Sequence, residues 1–256
     1  MDLTLTFLGT GTSHGVPSIA CHCPVCTSDD PKNRRYRCSV LLQYQGRNVL
    51  IDTATEFRLQ AIRAGMERLD AILFTHSHAD HISGLDDVRS FSERQGGPIP
   101  CYGTPETLED IRCRFDYIFT PTQWGGGKPR LELIPLQGPV NLFGLEIVPV
   151  PVCHGKLLVL GFRFGGSAYV TDTNCIPDGS VDLLRGLDLL VLDALRWTPH
   201  PTHFTVNQAL EVIKELHPAR SYLTHLTHDL DYACTNAILP PGVELAYDGL
   251  SLQLGS

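Results

Sequence analysis

The stretch FTHSHADHISGL, residues 74–85, places His76, His78, Asp80 and His81 within six positions, directly after a short apolar run. A run of that length ending in a polar loop reads as a buried strand. His76 and His78 stand two apart on the loop leaving it, while Asp80 and His81 are adjacent at the expected start of a helix. The two pairs can therefore point at two neighbouring places, which suits two metal ions. Imidazole nitrogens and carboxylate oxygens are ordinary ligands of Zn²⁺, Mn²⁺ or Fe, and a catalytic site uses them while leaving a position for water. Further ligand-type residues stand in the same setting: His154 follows LEIVPVPVC, Asp172 follows SAYVT and His225 follows RSYLT. A lone histidine after a strand is more often a satisfied surface or core residue. Three strand ends delivering such residues to one edge, together with the His-rich loop, favour a metal site over a decorated turn.

Composition narrows the class. With 43% hydrophobic and 19% charged residues in 256, the chain can bury a sizeable core, so disorder is excluded. A net charge of -8 argues against a broad footprint for a nucleic-acid polymer. MDLTLTFLG alternates polar and apolar residues without a basic leader and reads as a first strand, and no apolar run is long enough to span a bilayer. A cytoplasmic protein without membrane contact is the expectation. Of nine cysteines, Cys21, Cys23 and Cys26 are clustered, which suggests metal binding in a reducing compartment more than a disulfide framework.

Short runs rich in β-branched and large apolar residues recur: LTLTFL, SVLLQY, NVLID, AILFT, LEIVPV, LVLGFRF, SAYVTD, LDLLVLD and RSYLTH. Each reads as a strand. Helical periodicity is expected over 55–65, 104–113, 180–186, 230–238 and most clearly 205–216, where Val206, Ala209, Leu210, Ile213 and Leu216 share a face behind a Thr205 cap. ELAYDGLSLQL reads as a closing strand pair, and PTQWGGGKPR, 121–130, as a mobile loop. Strands in runs with helices between them predict packed sheets covered by helices. Gly9, Gly11 and Gly15 make a tight turn with no following GK[ST], so no nucleotide P-loop is present, although their amides could touch substrate. The charge run DDPKNRRYR, 29–37, reads either as a solvated face or as arginines offered to a phosphate.

The HxHxDH motif at His76, His78, Asp80 and His81 resembles the hallmark of the metallo-β-lactamase superfamily. The resemblance spans almost the whole chain, 1–256, and implies a single α/β domain: a four-layered αββα sandwich, two mixed sheets covered by helices, with a dinuclear site at one edge. It further implies that His76, His78 and His154 hold one metal, that Asp80, His81 and His225 hold the other, that Asp172 bridges them, and that Asp52 supports the ligands. LGTGTSHGVP followed by CHCPVC, then THLTHDLDY and YDGLSLQL, narrow the likeness to the PhnP-type phosphodiesterases, which cleave cyclic phosphodiesters of ribose during phosphonate breakdown. That group implies a structural zinc on Cys21, Cys23, Cys26 and His228, a set whose three thiolates and one imidazole suit a closed tetrahedral site. His22, between the thiolates, reads as a bystander. The group also implies that His203 contacts phosphate and donates a proton, making Asp80 and His203 the candidate catalytic residues. His200 reads as a surface-loop histidine.

The function implied is a metal-dependent phosphodiesterase with two divalent ions, Zn or Mn, acting on a small ribose- or nucleotide-type, cyclic phosphodiester. A homodimer is also suggested by the family. Fold and metals alone do not fix the substrate. A hydrolase of a carboxylic ester, lactone or thioester is the enzymatic alternative. An RNA-processing relative lacks a visible basic arm here, and the filled ligand set argues against a PqqB-like biosynthetic role or a metal-binding relative without turnover.

Overall fold

A computed structural model of the chain describes residues 3–121 and 127–255; much of the loop expected over 121–130 thus lies outside the described residues. The first sheet is built from β1 (Leu3–Gly9), β2 (Ser39–Tyr44), β3 (Arg47–Ile51), β4 (Ala71–Leu73), β5 (Ile99–Gly103) and β6 (Leu131–Pro135). The second comprises β7 (Val140–Leu142), β8 (Leu145–His154), β9 (Leu157–Phe164), β10 (Ser167–Val170), β11 (Leu189–Asp193), β12 (Arg220–Thr224) and β13 (Val243–Leu245). β14 (Ser251–Leu254) returns to the first sheet and pairs with β1. Each sheet is mixed. β14, β1, β2 and β3 are antiparallel and β3 to β6 parallel, while β7 to β10 are antiparallel and β10 to β13 parallel.

Period-two alternation decides how the sheets stack. In β1, Leu3, Leu5 and Phe7 face the space between the sheets, where they meet Ile147, Phe162, Tyr169 and Val191. Leu8 faces the opposite way, into a second core under the helices. Strands such as AIL and LLVLD are apolar on both faces because both faces are covered, as parallel strands require. Full burial of a Leu or Phe side chain stabilises by roughly 1.5–3 kcal/mol relative to exposure, so these layers dominate the energetics.

Helices α1 (Phe57–Arg63), α2 (Ala79–Ile82), α3 (Arg89–Gln95), α4 (Pro105–Arg114) and α5 (Asp116–Phe119) accompany the first sheet. Phe57, Phe91, Leu108, Ile111 and Ile118 close its outer core. Next to the second sheet lie α6 (Asp178–Val181), α7 (Val206–Leu216) and α8 (Tyr232–Asn236), with Val206, Ala209 and Leu216 of α7 buried against it. Thr205 caps α7 in a reciprocal capping box with Gln208. The architecture is the expected αββα sandwich. Among the described residues, no helix is long and apolar enough to cross a membrane.

Two expectations are corrected here. ELAYDGLSLQL does contain two strands, but β13 and β14 belong to different sheets. Between them the Asp248 side chain is buried, its carboxylate accepting the Thr10 hydroxyl and the Tyr36 N–H at 2.8 Å each, which draws the chain across the sandwich instead of letting it fold back as a hairpin. The charge run 29–37 is a solvated face only in part: Asp29 and Arg34 are exposed, but its other basic residues pack against the rest of the fold. Arg35 is only 2% exposed and donates to the carbonyls of Thr227 (2.7 Å) and Leu230 (2.6 Å). Lys32 lies over the Tyr232 and Tyr247 rings, and Arg37 pairs with Glu56. The run is thus a clasp on the loop that carries His225 and His228. Gly9 and Gly11 serve the same packing: a Cβ on Gly9 would stand 1.9 Å from the Arg37 carbonyl oxygen, and one on Gly11 2.9 Å from that of Arg35.

Candidate metal centre

The ends of β3, β4, β8, β10, β11 and β12 build the site. At three of them a residue one or two positions beyond the strand has a left-handed backbone without being glycine: Asp52 (φ +63°), Asp172 (φ +52°) and His225 (φ +60°). Such conformations cost roughly 1–3 kcal/mol each and persist where the surroundings over-determine them. Asp52 shows how. One carboxylate oxygen accepts the Thr75 N–H at 2.8 Å, and the other accepts the Thr75 hydroxyl at 2.8 Å and lies 2.7 Å from His81 Nδ1. With Nδ1 committed to a carboxylate, His81 presents Nε2 to the site, 3.3 Å from Asp172 Oδ1. The Thr75 hydroxyl also meets His76 Nδ1 at 2.9 Å, and His154 Nδ1 lies 2.9 Å from the Thr202 carbonyl, so those rings too are oriented through one nitrogen.

The ligand atoms of His76, His78 and His154 lie within 4.8 Å of one another, and so do those of Asp80, His81, Asp172 and His225. Asp172 stands between the two groups, with Oδ2 3.9 Å from His76 Nε2 and 3.3 Å from His225 Nε2. Asp80 Oδ2 is 3.4 Å from His81 Nε2 and 3.8 Å from His225 Nε2. These residues fit a pair of divalent cations on an observation independent of the motif. The Nε2 atoms of His76, His81 and His225 are all buried and none makes a hydrogen bond. Buried polar atoms without partners are costly, and several converging in one place mark a missing partner. Burial holds the His76, His78 and His154 imidazoles below their ordinary pKa, in the neutral form a metal needs. For Asp172 burial acts the other way, but His225 and His81 hold its carboxyl well below the usual range, and it stays anionic.

His203 is buried beside this cluster. Its Nδ1 lies 2.8 Å from Asp193 Oδ2, and its ring centroid stands 4.6 Å from that of His225, in a stacked arrangement, and 4.7 Å from that of His154. One of its ring nitrogens is within 4.8 Å of ligand atoms of His154 and Asp172. Asp193, fully buried, also accepts the Thr173 N–H at 2.9 Å, which fixes the chain just after Asp172. The sequence reading passed over Asp193; its only signal was that it closes an apolar strand, LLVLD, as Asp172 follows another. His200 is half-buried, not a free surface residue, and its ring stands 5.1 Å from that of His203.

Away from this cluster, Cys21 Sγ lies 3.1 Å, and Cys23 and Cys26 Sγ each 3.4 Å, from His228 Nδ1. Zn–S and Zn–N bonds of about 2.3 and 2.0–2.1 Å at tetrahedral angles give S···N edges of about 3.6 Å, so a zinc ion fits with little movement. The Cys26 N–H, 3.4 Å from Cys23 Sγ, draws the Cys23 thiol down to about 7, toward the ligating thiolate, whereas burial pushes Cys26 up to about 11. His22 is exposed and takes no part. His225 and His228 sit three residues apart on the loop clasped by Arg35, which ties the two centres together.

A cavity of about 360 Å³ opens beside His76 and Ser77, lined by Thr104, Glu106, Asp110, Lys156 and the exposed Leu157 and Leu158.

Comparison with known proteins agrees with the fold. A solved diphosphatase from the PhnP family superposes with a TM-score of 0.94 at 47% identity, covering 99% of this chain and 98% of that one. An octanoyltransferase of Porphyromonas gingivalis is 37% identical over 248 residues, 95% of this chain but 50% of that protein, so the chain spans about half of its length. A ribonuclease Z of Bradyrhizobium diazoefficiens is 33% identical over 205 residues, 74% of this chain and 61% of that protein. The beta-lactamase superfamily domain matches residues 47–226, and with the sandwich and the strand-end cluster in place the chain belongs to the metallo-β-lactamase superfamily, resembling its PhnP branch.

Proposed function

We propose that this chain is a metal-dependent hydrolase of a small phosphodiester, of ribose or nucleotide type and cyclic forms included, and that it works with two divalent cations, Zn or Mn. His76, His78 and His154 would hold one, Asp80, His81 and His225 the other, with Asp172 shared. Held there, the cations supply Lewis acidity, neutralising charge on a phosphoryl group and acidifying water toward a pKa of roughly 7. The observation that carries the reading is the His203–Asp193 pair set against the cluster. A carboxylate 2.8 Å from Nδ1 fixes the tautomer and leaves the second ring nitrogen for the substrate. His203 can then neutralise a non-bridging oxygen or give its proton to the departing alkoxide. The likeness to a diphosphatase supports phosphorus as the atom attacked. The cavity beside His76 is large enough for a sugar-sized group, with Lys156 at its wall. Its volume lies at the lower end of the roughly 300–1,000 Å³ range of ligand sites.

The octanoyltransferase relative favours a second reading, hydrolysis of a carboxylic ester or thioester. Turnover of bis(p-nitrophenyl) phosphate, p-nitrophenyl phosphate, a lactone and an octanoyl thioester by the Zn²⁺- or Mn²⁺-loaded protein separates the two. The diester should be the best substrate; preference for the thioester or lactone would displace the phosphodiesterase reading.

The cysteine cluster is assigned to a structural zinc. Because metal binding to such a site is folding free energy, Cys23→Ser should lower the melting temperature by at least ~5 °C while changing diester turnover only a few-fold. Unchanged melting and unchanged metal content, measured by calorimetry and elemental analysis, would remove the assignment.

A further inference from the structure

We infer that Cys153 and Cys175 form a reversible disulfide that latches together the two chain segments carrying His154 and Asp172. Cys153 is the penultimate residue of β8 and Cys175 follows β10 by five positions, and the two are opposed in an isolated antiparallel bridge. The Cys153 N–H donates to the Cys175 carbonyl at 2.9 Å, and the Cys153 carbonyl accepts the Asn174 N–H at 3.0 Å. The Thr173 hydroxyl lies 3.0 Å from both cysteine carbonyls, so one side chain holds both backbones in place. Opposed residues of antiparallel strands have Cα atoms about 4.5–5.5 Å apart. Disulfides span roughly 4.4–6.8 Å, so no large backbone movement is needed.

Exposure favours the pair as well. Cys175 is exposed and Cys153 half-buried, so an oxidant reaches the first and the second lies behind it as a resolving thiol. The other cysteines outside the zinc cluster lack this arrangement: Cys38 and Cys101 are buried, Cys113 contacts Glu109, and Cys234 contacts Asp231. With hydrogen peroxide the Cys175 sulfur attacks one oxygen, forming a sulfenic acid and releasing water. The Cys153 sulfur then attacks that sulfur and a second water departs, so two thiols and one peroxide give one disulfide and two waters. A thiol reductant reverses the bond by exchange. In a reducing compartment the pair rests as a dithiol and closes on oxidation.

The test uses the full chain with zinc bound, exposed to a modest excess of hydrogen peroxide and then mapped by non-reducing peptide mass spectrometry. The expected product is a Cys153–Cys175 cross-linked peptide pair, lighter by two hydrogen atoms than the reduced pair, absent from Cys175→Ser and lost on adding a thiol reductant. The closed loop is short and constrains mainly the unfolded chain, so the oxidised protein should melt ~5 °C or more higher than the reduced one, and Cys175→Ser should lose that increment. Modification of Cys175 as a separate sulfinic acid or mixed disulfide, with no cross-link to Cys153, would overturn the inference. A cross-link that leaves melting unchanged or lowers it would overturn the latch. Neither readout depends on the substrate or on turnover.

Discussion

His203→Ala is expected to keep both cations bound while lowering diester turnover by roughly 10²–10⁴, the range for a positioned acid or base. The side chain is not among the seven ligands assigned to the two cations, although one of its ring nitrogens lies within 4.8 Å of ligand atoms of His154 and Asp172, and its Nδ1 is committed to Asp193. The loss should fall on kcat more than KM, because the charge that His203 meets develops in the transition state. Leaving groups divide its two roles. A nitrophenolate departs without a proton, so an acid role predicts a smaller loss with bis(p-nitrophenyl) phosphate than with an alkyl diester, whereas a phosphate clamp predicts equal losses. Asp193→Asn should reproduce part of the defect, since it removes the carboxylate that orients the His203 ring. Near-wild-type turnover of both diesters by His203→Ala, with full metal occupancy, would end its catalytic assignment.

Asp172→Ala is expected to be more damaging. This carboxylate stands between the two groups, within 3.3–3.9 Å of ring nitrogens of His76, His81 and His225, and is the anion that balances them. Its removal should weaken cation binding at both places. The Lewis-acid contribution of such ions is several kcal/mol, so turnover should fall on the order of 10³-fold or more. Elemental analysis after dialysis should show fewer metal ions per chain with the cysteine-held zinc retained. Two firmly held site ions in Asp172→Ala would show that this residue is not shared between them.

Much of this centre was legible because its residues are placed by local rules. HxHxDH falls within one loop and one helical turn, and His154, Asp172 and His225 each close an apolar strand. Asp193 obeyed the same rule and went unnoticed, because its partner His203 lies ten residues on, across a loop whose course the sequence does not dictate. Arg35 was misread for a related reason. A charge run resembles surface, and only the carbonyls of Thr227 and Leu230, nearly two hundred residues away, make its burial favourable. Strands β5, β6 and β7 were missed because IPCYG and LELIP contain proline, which argues against a strand, and VNL is three residues long. β6 is an edge strand, where proline is tolerated. The polar α3, RSFSERQ, shows little periodicity and escaped notice as well. Left-handed backbone at Asp52, Asp172 and His225 is invisible in residue type, since only glycine advertises it.

Titration of metal-depleted protein with Zn²⁺, with turnover of bis(p-nitrophenyl) phosphate followed at each addition, tests the dinuclear phosphodiesterase directly. Activity should be negligible until the cysteine-held site is filled, and should then rise and saturate after about two further equivalents per chain, the stoichiometry of a two-metal site. Diester turnover by the metal-depleted protein equal to that of the loaded protein, or none at any Zn²⁺ or Mn²⁺ occupancy, would contradict it.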